Sequence, residues 1–128
     1  MAFKKSNESV KVGDIFVASW GYGQTNVNAF QVVSLAGKTS VVLREVEKEK
    51  VFGPNETEAD RQKYMCGSCK PAPGKFRDFS VLIEDQEKGS RKQVSVDDAG
   101  TIAVKVGGGD YWAFKWDGAR QYRESWYY

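Results

Sequence analysis

The chain reads as a mainly antiparallel all-β domain, an SH3-like small β-barrel of about five to seven strands with one short helix. Three observations predict this class. Short runs rich in Val, Ile, Phe and Trp recur between clusters of Gly, Asn and Ser, the pattern of strands and their turns. Apolar and polar residues alternate over Lys92–Val96 and Thr101–Val106, giving each segment one buried and one wet face. A strand opened by Gly13-Asp14, a long polar loop carrying aromatics and then a tight hairpin is how many small SH3-like barrels begin.

With 128 residues the chain fits one domain over residues 1–128, with 1–11 as a flexible N-terminus. The first strands are Ile15–Trp20, Ala29–Leu35 and Ser40–Val46. Ala36-Gly37-Lys38 joins the second and third, its Gly supplying the positive φ that a tight hairpin turn requires. In Glu47–Gln62 charge replaces periodicity and Gly53-Pro54-Asn55 punctuates the run, so it reads as a solvated loop. Within it, Thr57–Met65 suits one or two helical turns: Thr57 is a capping residue, acids follow in the first turn and bases near the end. Phe79–Glu84 is a short apolar run and reads as a strand.

Two alternating strands follow. Val94 and Val96, then Ile102, Val104 and Val106, are the inward residues, while Gln93, Ser95, Ala103 and Lys105 face water. Asp97–Gly100 and Gly107–Asp110 are the turns after them. Residues 111–128 form an aromatic C-terminal segment holding eight of the 17 aromatics. Over Tyr111–Trp116 the alternation puts Trp112, Phe114 and Trp116 on one strand face, which closes the barrel core. Asp117-Gly118 then turns the chain.

Composition narrows the chemistry. Hydrophobic residues at 41% argue against disorder, and a net charge of +2 with interspersed signs makes no strong electrostatic case for a nucleic-acid or membrane partner. No run approaches the ~20 apolar residues of a membrane span and residues 1–11 hold no apolar signal region, so a soluble, cytoplasmic protein is expected. The sequence contains no histidine, which removes Ser-His and Cys-His nucleophile pairs, histidine acid–base catalysis and histidine metal sites together. The expectation is a non-enzyme with no catalytic residues, no metal and no cofactor.

Two motifs invite chemistry and have plainer readings. Cys66-Gly67-Ser68-Cys69 has the spacing of a half zinc site or a redox pair. A structural zinc needs about four ligands, which this chain lacks without carboxylates or a second subunit, and Pro71 and Pro73 forbid the helix of a thioredoxin-like site. Both cysteines then read as small apolar residues near a strand end. Asp97 and Asp98 are adjacent, so on a strand they would face opposite sides, and Asp is a favoured turn residue. Gly107-Gly108-Gly109 lacks the Lys-Ser/Thr of a phosphate loop.

Two surfaces carry the functional reading. In the Trp20–Asn28 loop, Trp20 and Tyr22 offer large semi-rigid contact area, and Gln24, Thr25, Asn26 and Asn28 offer donors and acceptors. Equally, the loop is a long turn whose amides bond their own backbone and whose Trp20 lies in the core. In the C-terminal segment, Trp116, Asp117, Arg120, Arg123, Trp126 and Tyr127 combine rings with guanidinium groups, which suits unpaired bases or a protein interface. The alternative is that the tail packs back over a small barrel short of core.

The stretch GDIFVASWGYGQTNVNAFQVV resembles the opening of a family of small bacteriophage, prophage and plasmid proteins with a GDI-x(3)-SWGY-x-QTN-x(4)-QVV pattern. Trp116-Asp117-Gly118 with Ser125-Trp126-Tyr127 is similar to that family's aromatic C-terminal segment around WDG. The resemblance implies a mobile-element origin in a bacterial host and no particular mechanism. The leading expectation is a binding protein that engages a host macromolecule, most simply a host protein, with inhibition of a host defence protein as one form. The alternative is single-stranded nucleic-acid binding through aromatics interleaved with Arg44, Lys115, Arg120 and Arg123.

Overall fold

A computed structural model describes residues 4–21 and 23–126. It is an antiparallel all-β fold with one short helix, in the order β1 (Lys4–Lys5), β2 (Ile15–Trp20), β3 (Asn26–Ala36), β4 (Ser40–Val51), α1 (Glu58–Tyr64), β5 (Cys66–Phe76), β6 (Ser90–Gln93), β7 (Ser95–Val96), β8 (Ile102–Val106), β9 (Tyr111–Lys115) and β10 (Tyr122–Ser125). Among the described residues there are ten strands, more than five to seven, and β3 and β4 are longer than the runs read from sequence. They form one sheet in the order β1-β7-β8-β9-β2-β3-β4-β5-β10, with β6 off the path on β4.

The sheet folds round two cores. Only Val94 separates β6 from β7; its N–H donates to the Thr39 carbonyl and its carbonyl accepts from the Ser6 N–H. The pairings of β4 with β6 and of β7 with β8 therefore meet at one residue, and β2–β3–β4 and β7–β8–β9 curl around Phe16, Phe30, Leu43, Val94 and Val104. On the opposite side of β2 and β3, β5 and β10 cover Ile15, Val17, Val27, Ala29, Val46 and Cys69, and Phe76, Trp116 and Tyr122 pack on that cluster. Being covered on both faces, Ile15–Ala18 are buried without alternation. Each fully buried Phe or Val there contributes about 1.5–3 kcal/mol.

Several expectations are corrected. β3 begins at Asn26 and β4 runs on to Val51, because the charged tail of β4 pairs with β5 and its side chains find partners: Lys48 with Glu124, Lys50 with Glu58 and Glu49 with Lys70. β5 tolerates Pro71 and Pro73 because the register shifts: Pro71 faces Lys48 and Phe76 faces Val46, so residues 72–75 bulge and their N–H groups are not needed for the ladder. Phe79–Glu84 is not a strand. It is an irregular segment that inserts Leu82 and Ile83 into the first core and leaves Phe79 and Val81 exposed.

The N-terminal segment is anchored from Lys4: β1 pairs with β7, the Asn7 side chain donates to the carbonyls of Gly37 and Ser40, and Val10 lies in the first core. The helix forms as predicted, with a reciprocal capping box between Thr57 and Asp60 and a left-handed Met65 after it. On β9 the predicted inward face is reversed: Tyr111 packs on the first core and Ala113 is buried in it, while Trp112, Phe114 and Lys115 are half-buried or exposed. Ser95 and Ala103, expected to be wet, are buried beneath that outer side.

Candidate functional site

The structure divides the Trp20–Asn28 residues by role. Trp20 ends β2 and packs on the first core, its ring 4.8 Å from that of Tyr111. Its indole N–H donates to Asn28 Oδ1 at 2.7 Å, and Asn28 Nδ2 donates to Glu45 Oε2 at 2.8 Å. Trp20 and Asn28 thus belong to a polar chain that runs into the interior. Asn26 and Asn28 are strand residues and the loop proper is short. Gly21 sits at φ +131°, where an added Cβ would lie 2.2 Å from the Gln24 carbonyl oxygen, so the reversal depends on glycine. Tyr22 and Tyr127 lie outside the described residues.

Gln24, Thr25 and Asn26 are half-buried where the loop meets β10. The Thr25 N–H donates to Ser125 Oγ at 2.9 Å, and the Ser125 N–H donates to the Thr25 carbonyl at 3.1 Å, an isolated antiparallel bridge. That bridge sets Gln24 alongside Trp126 and joins the two surfaces singled out in the sequence. Trp126 is tied to the end of α1 by its N–H, which donates to the Met65 carbonyl. Arg123 is exposed and donates to Cys66 Sγ at 2.9 Å.

Trp116, Asp117 and Arg120 form a separate, self-contained turn. Asp117 Oδ1 accepts from the N–H groups of Arg120 and Ala119, which hold the carboxyl below its ordinary range. The Trp116 indole donates to the Arg120 carbonyl at 2.8 Å, leaving the Arg120 guanidinium over the Tyr122 ring at 4.9 Å. Arg120, Asp117 and Tyr122 edge an open hollow of about 330 Å³ floored by Val17 and walled by Trp112 and Phe114.

The sequence reading missed the outer side of β7–β8–β9. Directly paired residues share a side of a sheet, and the register runs Lys5–Ser95, Ser95–Ala103, Ala103–Phe114 and Phe114–Val17. Lys105 is paired with Trp112 in the next row, its ammonium 5.0 Å from the ring. Phe114 is 48% exposed. A hollow of about 140 Å³ lies between Trp112 and Phe114 over Ala103 and Ser95. A second, of about 370 Å³, opens beside it among Lys5, Arg91, Lys92 and Lys105, with Ser95 common to both.

The cysteines stand at positions i and i+3 of one strand, so their side chains leave opposite faces and their Cα atoms are separated by about 10 Å, beyond the ~7 Å that a disulfide spans. Cys69 is sealed in the second core, where burial, reinforced by Glu124, pushes the thiol up to about 11. A thiol reagent at pH 8 is expected to modify Cys66 quickly and Cys69 only on unfolding; two equally fast thiols would contradict this burial. Because the folded thiol titrates above its ordinary value near 9, the stability held by neutral Cys69 is complete below that pH and lost as pH rises through about 11.

Asp97 is a turn residue, its Oδ1 accepting from the N–H groups of Ala99 and Thr101. Among the described residues no group of three or more Cys, Asp or Glu is placed to hold a metal ion, and no helix is long and apolar enough to cross a membrane. No family model, curated protein or solved structure matches the chain.

Proposed function

We propose that this chain is a non-enzymatic binding protein of phage or other mobile-element origin, acting in the bacterial cytoplasm, that engages a host protein; inhibition of a host defence protein is the form this takes. We read the curl of strands around the first core as an SH3-like barrel that presents the binding surface. The observation that carries the reading is the Thr25–Ser125 bridge. It brings Gln24, Thr25 and Asn26 beside Ser125 and Trp126, with Arg123 two residues along β10, so that amides, a guanidinium and a half-buried indole from two ends of the chain meet at one seam, the mix favoured at protein interfaces.

The test is capture of a host protein by the tagged chain from bacterial lysate, with and without nuclease. A stoichiometric, nuclease-resistant partner is expected, and Gln24→Ala with Arg123→Ala should weaken its capture about tenfold or more without moving the melting temperature. Capture that is indifferent to both substitutions removes the surface assignment. Trp20→Ala, by contrast, should lower the melting temperature, because its indole is bonded within the fold.

Single-stranded nucleic acid is a second reading, favoured by groups other than those read from sequence. Arg44 is occupied, its Nε donating to the Gln86 carbonyl and its guanidinium over Phe76 at 4.2 Å. Lys115 lies 3.9 Å from Asp14, and Arg123 is on Cys66. The outer side of β7–β8–β9 supports this reading instead.

A further inference from the structure

We propose that the outer side of β1–β7–β8–β9 is a binding site for single-stranded nucleic acid, with phosphates held by Lys5, Arg91 and Lys105 and bases stacked on Trp112 and Phe114. It deepens the second reading above and uses none of the residues assigned to the host-protein patch.

The charge is local, which a net charge of +2 conceals. Lys5, Arg91, Lys92 and Lys105 come from three strands, β1, β6 and β8, and line one hollow with no carboxylate among its lining residues. Lys92 is paired with Glu84, but among the described residues no carboxylate lies within ion-pair distance of Lys5, Arg91 or Lys105. Three cations without counterions around one concavity form an anion-attracting patch. Lys5 donates to Ser95 Oγ at 2.6 Å, which fixes its ammonium at the junction with the aromatic hollow.

The aromatic hollow adjoins it. The small residues Ser95 and Ala103 form its floor, and Trp112 and Phe114 stand on either side of it. Phe114, 48% exposed, is open to solvent as a core residue would not be. From β1 to β9 is three strand spacings, about 14 Å, so cations and rings lie within the reach of a few nucleotides. Aromatic faces beside a cationic groove are what unpaired bases on a phosphate chain require, since each base offers a π-face and each phosphate one charge. In a duplex those base faces are covered by their neighbours. The one acid on the aromatic hollow, Asp97, has Oδ1 engaged by two backbone N–H groups of its turn.

The experiment is fluorescence anisotropy of a labelled 12-mer of thymidine titrated with the full chain across a salt series. Binding is expected to weaken with salt with a log–log slope of about −2, from three phosphate contacts at about −0.7 each. Arg91→Ala and Lys105→Ala should each flatten that slope by about 0.7. Phe114→Ala should weaken binding about ten- to a hundredfold with little change in slope, and its exposure makes it a substitution the fold accepts; an unchanged melting temperature checks that. Lys50→Ala, whose side chain lines neither hollow, should leave the slope nearly unchanged. No binding by the intact chain at low salt overturns the proposal, as does equal affinity for the duplex 12-mer or indifference to Phe114→Ala. None of those results touches the host-protein reading, which rests on Gln24 and Arg123.

Discussion

Glu45→Ala is expected to lower stability by about 3 kcal/mol, a drop in melting temperature of about 10 °C, measured by urea and thermal unfolding. Glu45 lies within β4, only 2% exposed, yet its carboxylate is at the centre of a polar network. Oε2 accepts from Asn28 Nδ2 at 2.8 Å, Oε1 accepts from Ser80 Oγ at 2.5 Å, and Arg77 Nε lies 3.8 Å away. Gln86 clasps the same residue's backbone, its Oε1 accepting from the Glu45 N–H and its Nε2 donating to the Glu45 carbonyl.

Deleting the carboxylate strands Asn28 Nδ2 and Ser80 Oγ and opens a void. An unmade buried hydrogen bond costs about 1–3 kcal/mol, and those to a charged acceptor are the stronger ones. Arg77 is part-exposed and can turn to water, so its loss adds little. Ser80→Ala, which removes one donor and leaves the carboxylate bonded to Asn28, should cost about 1 kcal/mol. The wider consequence concerns Trp20, because Asn28 links Glu45 to the indole. A loss below about 1 kcal/mol for Glu45→Ala would show that water replaces the network freely and that Trp20 is held by packing alone.

That network shows where the sequence is readable and where it is not. Periodicity and turn residues identify β2, the Gly37 hairpin, the Thr57 cap, β8 and the Gly107–Asp110 turn, since each depends on near neighbours in the chain. β5 is hidden because its strand character comes from a partner: Pro71 and Pro73 oppose it locally, and only the register against β4 makes room for them. The charged end of β4 is hidden for the same reason, as Lys48 and Glu124 are far apart in sequence. Alternation over Tyr111–Trp116 does define two faces, but it carries no sign to tell inside from outside. With Tyr111 and Ala113 turned inward, Trp112 and Phe114 become surface. The basic hollow has no sequence pattern at all, because Lys5, Arg91 and Lys105 meet only through strand pairing.

Gly67→Ala is expected to destabilise the fold by about 2–3 kcal/mol, and to do so through Arg61. Gly67 lies on β5 beneath the α1 side chain Arg61, where a Cβ would stand 2.2 Å from the guanidinium carbon. An arginine tip normally yields cheaply, but this one is 2% exposed and fastened: its Nη1 donates to the carbonyls of Ser68 at 3.0 Å and Val51 at 3.3 Å, and Phe52 covers it at 5.1 Å. The added methyl must therefore expel the guanidinium, leaving two carbonyls unpaired and detaching α1 from the end of the β4–β5 hairpin. A double-mutant cycle isolates the cause. In an Arg61→Ala background the same Gly67→Ala change should cost less than about 1 kcal/mol, giving a coupling of about 1–2 kcal/mol. Additive losses would mean that the methyl disturbs the β5 backbone itself and that Arg61 is not what requires glycine there.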